Sequence, residues 1–237
     1  MRQLRRTLLT AAALALCAAP IALAAAPRDQ AGHGGGHVRP AKRVDGTTGS
    51  RLLAQWFSQL LALPMAQNPL AGNGQPCLRL GPGGRVLSPV NGGPRTTVRC
   101  NVEARRPVFL VTTDVECSTA EEAPFHAVGA ANQRRCAIKQ LRGIVPQVPS
   151  IKVTVDHGPT VQIRRRAFVI RSRQGRTVFP DTAIFEPSTG GPATFAGAAW
   201  AAQVRGFRPG PHTIRVDYTF SSGPFTATFL LNVVPRA

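Results

Sequence analysis

The sequence predicts a mainly β protein: an immunoglobulin-like β-sandwich with a docked N-terminal helix, one further short helix and two disulfides. Three observations lead to this reading. Apolar and polar residues alternate in several short runs, most clearly where Ile214, Val216, Tyr218 and Phe220 interleave with Arg215, Asp217 and Thr219. Turn-forming residues punctuate those runs, as at Pro209-Gly210-Pro211 and Ser221 to Pro224. Four cysteines, Cys77, Cys100, Cys117 and Cys136, follow an N-terminal segment patterned for export, where thiols oxidise.

Met1 to Ala24 has the three parts of a secretory signal: the cations Arg2, Arg5 and Arg6, an Ala/Leu-rich apolar stretch, and Ala22-Leu23-Ala24 as an A-x-A cleavage site. The bulky Leu16 before Cys17 argues against a lipid-modified cysteine. Residues 25–50 have almost no large apolar side chains and read as a disordered linker, with His33 and His37 in a floppy spacer rather than a metal site. Residues 51–237 then form one domain, long enough to bury a single core.

Ser50 is the expected cap of a helix running to about Leu63 and stopped by Pro64. Leu52, Leu53, Trp56, Phe57, Leu60 and Leu61 make its apolar stripe, which suits docking on a sheet. The unbroken apolar run Val108 to Val111 suits a strand covered on both faces. Ala130 to Arg142 reads as a short helix. Val153 and Val155 belong to a strand that turns at Asp156-His157-Gly158. Arg166 to Arg171 reads as another strand. Ile214 to Phe220 and Phe225 to Val233 form an antiparallel hairpin. Residues 172–206, rich in Gly, Pro, Ala and Thr, read as long loops between short strands. Among the three possible cysteine connectivities, 77–100 and 117–136 are favoured because each closes a local loop. Each is worth about 3 kcal/mol on the chain-entropy model.

The chain carries 29 Lys+Arg against 11 Asp+Glu, a formal charge of +18, falling to about +15 without the three signal arginines. Only Lys42, Lys139 and Lys152 are lysines. Such a chain is drawn to polyanions, although a GC-rich coding sequence also produces an arginine bias. The sharpest cluster is Arg164, Arg165 and Arg166 before a strand with Arg171, Arg173 and Arg176 after it, a set able to hold phosphate or carboxylate. Few aromatic residues accompany them, which disfavours nucleic acid.

No G-x-S-x-G, H-E-x-x-H, P-loop or EF-hand pattern occurs. No cofactor, metal site or catalytic residue is assigned. Asp114, Glu116, Glu121 and Glu122 read as a solvated acidic turn, with a hard-cation site as the rival. His212 is expected to bond a neighbouring loop.

Several landmarks together carry a resemblance: Asn68-Pro69-Leu70, then Cys77, the glycine turn Gly81 to Gly84, Arg99-Cys100, Val153 to Gly158, and Pro209-Gly210-Pro211-His212-Thr213-Ile214. They resemble a broad family of uncharacterised bacterial exported proteins. Val86 to Val90 and Val102 to Pro107 depart from the family pattern. The resemblance implies export and fold, and no activity. The expected role is a non-catalytic binding or structural module at the cell envelope, secreted or periplasmic and monomeric. It would contact anionic polymer or a surface protein, without a membrane span. An extracellular hydrolase with a loop-built site is the alternative.

Overall fold

The computed structural model describes residues 36–92, 96–184 and 190–236. The signal peptide over 1–24, Cys17 and residues 25–35 of the expected linker, His33 included, lie outside the described residues. From residue 36 onward the linker reading is corrected. β1 (His37–Pro40) pairs with a later strand from His37↔Arg205 to Pro40↔Ala202, and β2 (Arg43–Val44) and β3 (Thr47–Thr48) form a small hairpin. Its apolar residues are few but sufficient: Ala41 and Val44 are buried.

α1 (Gly49–Leu61) follows. Its cap is Thr48 rather than Ser50; the Arg51 amide donates to Thr48 Oγ1 at 3.3 Å. All six residues of the expected stripe are buried, each contributing about 1.5–3 kcal/mol of apolar burial. The chain continues through β4 (Cys77–Leu80), β5 (Val86–Pro89), β6 (Thr97–Glu103), β7 (Val108–Ser118) and α2 (Ala130–Ile144). Next come β8 (Ser150–Val155), β9 (Val161–Gln162), β10 (Val169–Arg171), β11 (Gly175–Phe179) and β12 (Gly191–Arg205). The chain closes with β13 (Gly210–Phe220) and β14 (Gly223–Val234). Of the strand expected over Arg166 to Arg171, the first three residues are instead a 3-10 turn.

The strands form two main sheets. In the larger, β12 pairs with β7 along one edge, while β11, β10 and β1 share its other edge. β5 and β4 extend the sheet beyond β7. The smaller sheet runs β6-β14-β13-β8-β9 and contains the expected hairpin, in register from Gly210↔Val233 to Phe220↔Gly223. Ile214, Val216, Phe229 and Leu231 of the smaller sheet share one core with Leu110, Trp200 and Val204 of the larger. Ala137 and Leu141 of α2 belong to that same core. α1 packs on the opposite face of the larger sheet, against Phe109, Phe195 and Ala199. The larger sheet is thus covered on both sides. Cys77–Cys100 joins β4 to β6 across the two sheets, and Cys117–Cys136 joins β7 to α2, the favoured pairing in both cases.

The loop reading of 172–206 is corrected by β12, a strand of 15 residues. Its Ala/Gly content gives little β-propensity, but a strand covered on both faces at close range needs small side chains, and packing prevails. Gly197 shows why. A Cβ there would lie 2.0 Å from the Phe57 ring of α1. Gly175 of β11 similarly accommodates Phe195, 2.2 Å from where its Cβ would stand.

β7 carries the other departure. Its pairing with β12 shifts between Trp200 and Ala201, leaving Thr112 as an extra residue whose hydroxyl donates to the Trp200 carbonyl at 3.0 Å. Before this bulge Val108 and Leu110 face the inter-sheet core; after it Val115 and Cys117 do so. The side-chain parity has flipped. Asp114 and Glu116 therefore stand opposite Ala199 and Gly197, on the face that α1 covers.

Gly197→Ala is expected to lower thermal stability by about 1–3 kcal/mol through overpacking. Combined with Phe57→Leu, it should cost less than the two single losses added together. Thermal unfolding of the four proteins checks this, and strict additivity would show that the two positions do not press on each other.

Candidate anion-binding site

Four of the six arginines singled out in the sequence converge. Arg164, Arg165 and Arg166 precede β10, and Arg171 closes it. They line a cavity of about 850 Å³ together with Lys42 and with Arg142 of α2. The cavity lining is otherwise largely apolar: Ile138 and Leu141 from α2, Val145 just after it, Val169 and Ile170 from β10, and Trp200 from β12. An adjoining cavity of about 590 Å³ shares Ile138, Arg142 and Arg171 and adds Arg134, Arg135 and Lys139. The two cavities lie side by side along α2, and together are called the groove below.

Arg173 and Arg176 do not join them. The Arg173 amide donates to the Ser50 carbonyl and its side chain is exposed. Arg176 lines a separate cavity of about 510 Å³ with Thr119, Val178 and Pro192. A single extended strand through 171–176 would have kept Arg171 and Arg173 together. Instead β10 and β11 pair with different stretches of β12.

The α2 cations were missed by sequence reasoning although their signal was present. Arg135, Lys139 and Arg142 are spaced i, i+4, i+7, which places them on one helix face. Arg134, Ile138, Leu141 and Val145 form the adjacent stripe that turns inward.

No acid lines either cavity. Among the described residues, none of the nine groove cations is ion-paired; the ion pairs are Arg85–Asp45, Arg106–Glu103, Arg215–Asp217 and His212–Asp156. Arg164 Nη2 donates to the Val145 carbonyl at 3.0 Å, which ties the arginine run to the end of α2, and its Nε–H is buried without an acceptor. A cleft lined by one sign of charge over apolar walls concentrates counter-ions.

Two of the described histidines, His126 and His212, are held by contacts with neighbouring segments. His126 Nδ1 bonds the Glu121 main-chain carbonyl at 2.9 Å. His212 Nδ1 meets Asp156 Oδ2 at 2.8 Å and its Nε2 meets the Arg208 carbonyl at 2.9 Å, so both ring nitrogens are engaged in joining β8, β13 and the preceding loop. Among the described residues no cluster of three His, Cys, Asp or Glu side chains could hold a metal ion. No helix among them is long and apolar enough to cross a membrane.

The acidic residues need a correction. Asp114 and Glu116 are not in a solvated turn but in β7, because the strand continues to Ser118. Glu116 is 4% exposed and neither carboxyl oxygen meets a donor. Burial first, then the neighbouring Glu121 and Asp114 charges, hold its pKa well above the usual range. Burial raises Glu121 too, opposed by the Ser118 hydroxyl, which donates to it at 3.2 Å. Asp114, raised by burial from 3.8 to about 7, keeps part of its surface in contact with solvent. Tyr218 donates to the Thr112 carbonyl at the bulge (3.0 Å), and burial followed by the Asp114 charge pushes its phenol upward.

For Asp114 the folded state holds a proton that the unfolded state has released between pH 3.8 and about 7. Its contribution therefore favours folding below that window and is lost as pH rises through it. Asp114→Asn and Glu116→Gln are each expected to raise the unfolding midpoint at pH 8 by roughly 2–4 °C, and to leave it little changed near pH 4. A midpoint lowered at pH 8 in both variants would show that the ionised carboxylates are stabilising.

No protein-family model matches the chain, and no curated protein matches it. Among solved structures, a chain of the complex of PbICP-C with falcipain-2 aligns with 63% of this chain and 99% of its own length. The identity is 12% and the TM-score 0.24. A score that low defines no shared fold.

Proposed function

We propose that this chain is an exported, non-catalytic binding module that holds an anionic component of the cell envelope in the groove between α2 and β10. The observation that carries the reading is the gathering of six cations round one cavity with no acid in its lining. Like charges repel, and an arrangement without counter-charge is relieved when an anion enters. Arginine supplies a planar fork of donors suited to phosphate or carboxylate. Secretion or periplasmic residence, a cleaved signal and a monomeric state belong to the same reading. They are supported by the N-terminal pattern and are consistent with two disulfides joining separate elements. The immunoglobulin-like description of the sandwich also belongs here, supported by two sheets that share one core. The hydrolase alternative gains no support from the histidine contacts.

The test is retention of the purified mature protein on envelope fractions of its host across a salt series. Wild type should be released as salt rises. Arg164→Ala, Arg165→Ala and Arg166→Ala combined should weaken retention and flatten its salt dependence, by about one unit of log–log slope for each arginine that no longer neutralises a phosphate. The combined Arg173→Ala and Arg176→Ala protein should behave as wild type. Retention indifferent to salt and to all five substitutions would turn attention from the arginines to another surface.

A further inference from the structure

The groove is not only basic. Its floor is built from Ile138, Leu141, Val145, Val169, Ile170 and Trp200, of which Leu141, Ile170 and Trp200 are buried side chains of the two cores. A polymer recognised through charge alone needs no such floor, since phosphates bind well to an exposed cationic surface. Apolar walls under a charged rim suit a ligand that is itself divided, with an anionic head and a hydrocarbon part that leaves water. The volume of about 850 Å³ lies within the range of small-molecule sites.

The head can be specified further. Arg142, Arg164, Arg166 and Arg171 approach the cavity from two elements, α2 and the segment leading through β10. A carboxylate has two oxygens and one charge. A phosphate monoester has three terminal oxygens and close to two charges, and so can engage more of these guanidinium groups. A zwitterionic head would bring a cation into a lining that has no acid to receive it.

We infer that the groove binds a phosphate monoester carrying a single alkyl chain, with the phosphate among Arg142, Arg164, Arg166 and Arg171 and the chain along Ile138, Leu141 and Trp200. This rests on the anion-binding reading above and narrows it from an anionic envelope component to an amphiphile.

The probe is decyl phosphate below its micellar concentration, titrated by calorimetry into the full mature protein and followed in parallel by tryptophan fluorescence. Inorganic phosphate, inorganic polyphosphate and a neutral decyl glycoside serve as comparators. Decyl phosphate should bind at least tenfold more tightly than either inorganic phosphate or the glycoside. The fluorescence change should vanish in Trp200→Phe. Ile138→Ser should weaken decyl phosphate at least tenfold and inorganic phosphate less than twofold; Arg171→Ala should weaken both. If polyphosphate binds with steep salt dependence while the decyl chain adds nothing, the amphiphile is overturned and the polyanion reading survives. Equal binding of the neutral glycoside overturns the phosphate assignment. Failure of every anion to bind overturns both readings.

Discussion

The constraint on which the structure depends is that the larger sheet is covered on both faces. α1 lies against one side; the smaller sheet and α2 lie against the other. A strand at the centre of such a stack cannot carry bulk in both directions. β12 meets this with alanine and glycine over most of its length, which lets the Phe57 ring close over Gly197. Trp200 is the large side chain it sends toward the second core, at the point where α2 and the segment before β10 leave the groove between them. The cavity floor is therefore a consequence of how the core is filled.

The same double cover explains the carboxyls. β7 runs beside β12 for its whole length, and the bulge at Thr112 turns Asp114 and Glu116 away from the inter-sheet core. They remain under α1, where water is scarce. A buried carboxyl without a cation lowers its cost by keeping its proton, and Glu116 beside Glu121 does so. The bulge also leaves the Thr112 carbonyl to be capped by Tyr218. One inserted residue thus fixes the environment of three titrating groups.

The sequence made some of this legible and hid the rest for identifiable reasons. The alternation in Ile214 to Val233 is a local signal, since one face of that hairpin is buried and the other wet, and it marks β13 and β14 although both strands begin earlier, at Gly210 and Gly223. The disulfides close local loops, so spacing sufficed. β12 was hidden because its small residues are selected by long-range packing, as Gly197 is by the Phe57 ring of α1, which is distant in sequence. The burial of Asp114 and Glu116 was hidden because strand parity predicts a side only until a bulge reverses it. For the groove, the three consecutive arginines were visible, and so was the i, i+4, i+7 face of Arg135, Lys139 and Arg142. What sequence could not supply is that α2 and β10 line the same cavity, which depends on long-range packing against β12.

The distribution of charge gives these separate observations one consequence. Asp45, Glu103, Asp156 and Asp217 each hold a cation or a histidine. Asp114 and Glu116 are pushed toward the neutral form, with Glu121 shifted in the same direction. Seven acids of the fold are in this way either already matched or shifted toward the neutral form. A formal count that treats those carboxyls as fully ionised understates the positive charge of the folded domain near neutral pH. The groove cations, unmatched by any acid in their lining, are part of that excess. A buried cluster on one face of the sheet and an unpaired basic groove beside α2 thus act in the same electrostatic sense. Lowering the pH to protonate Asp114 should strengthen the field that an approaching anion meets, without any change in the arginines themselves.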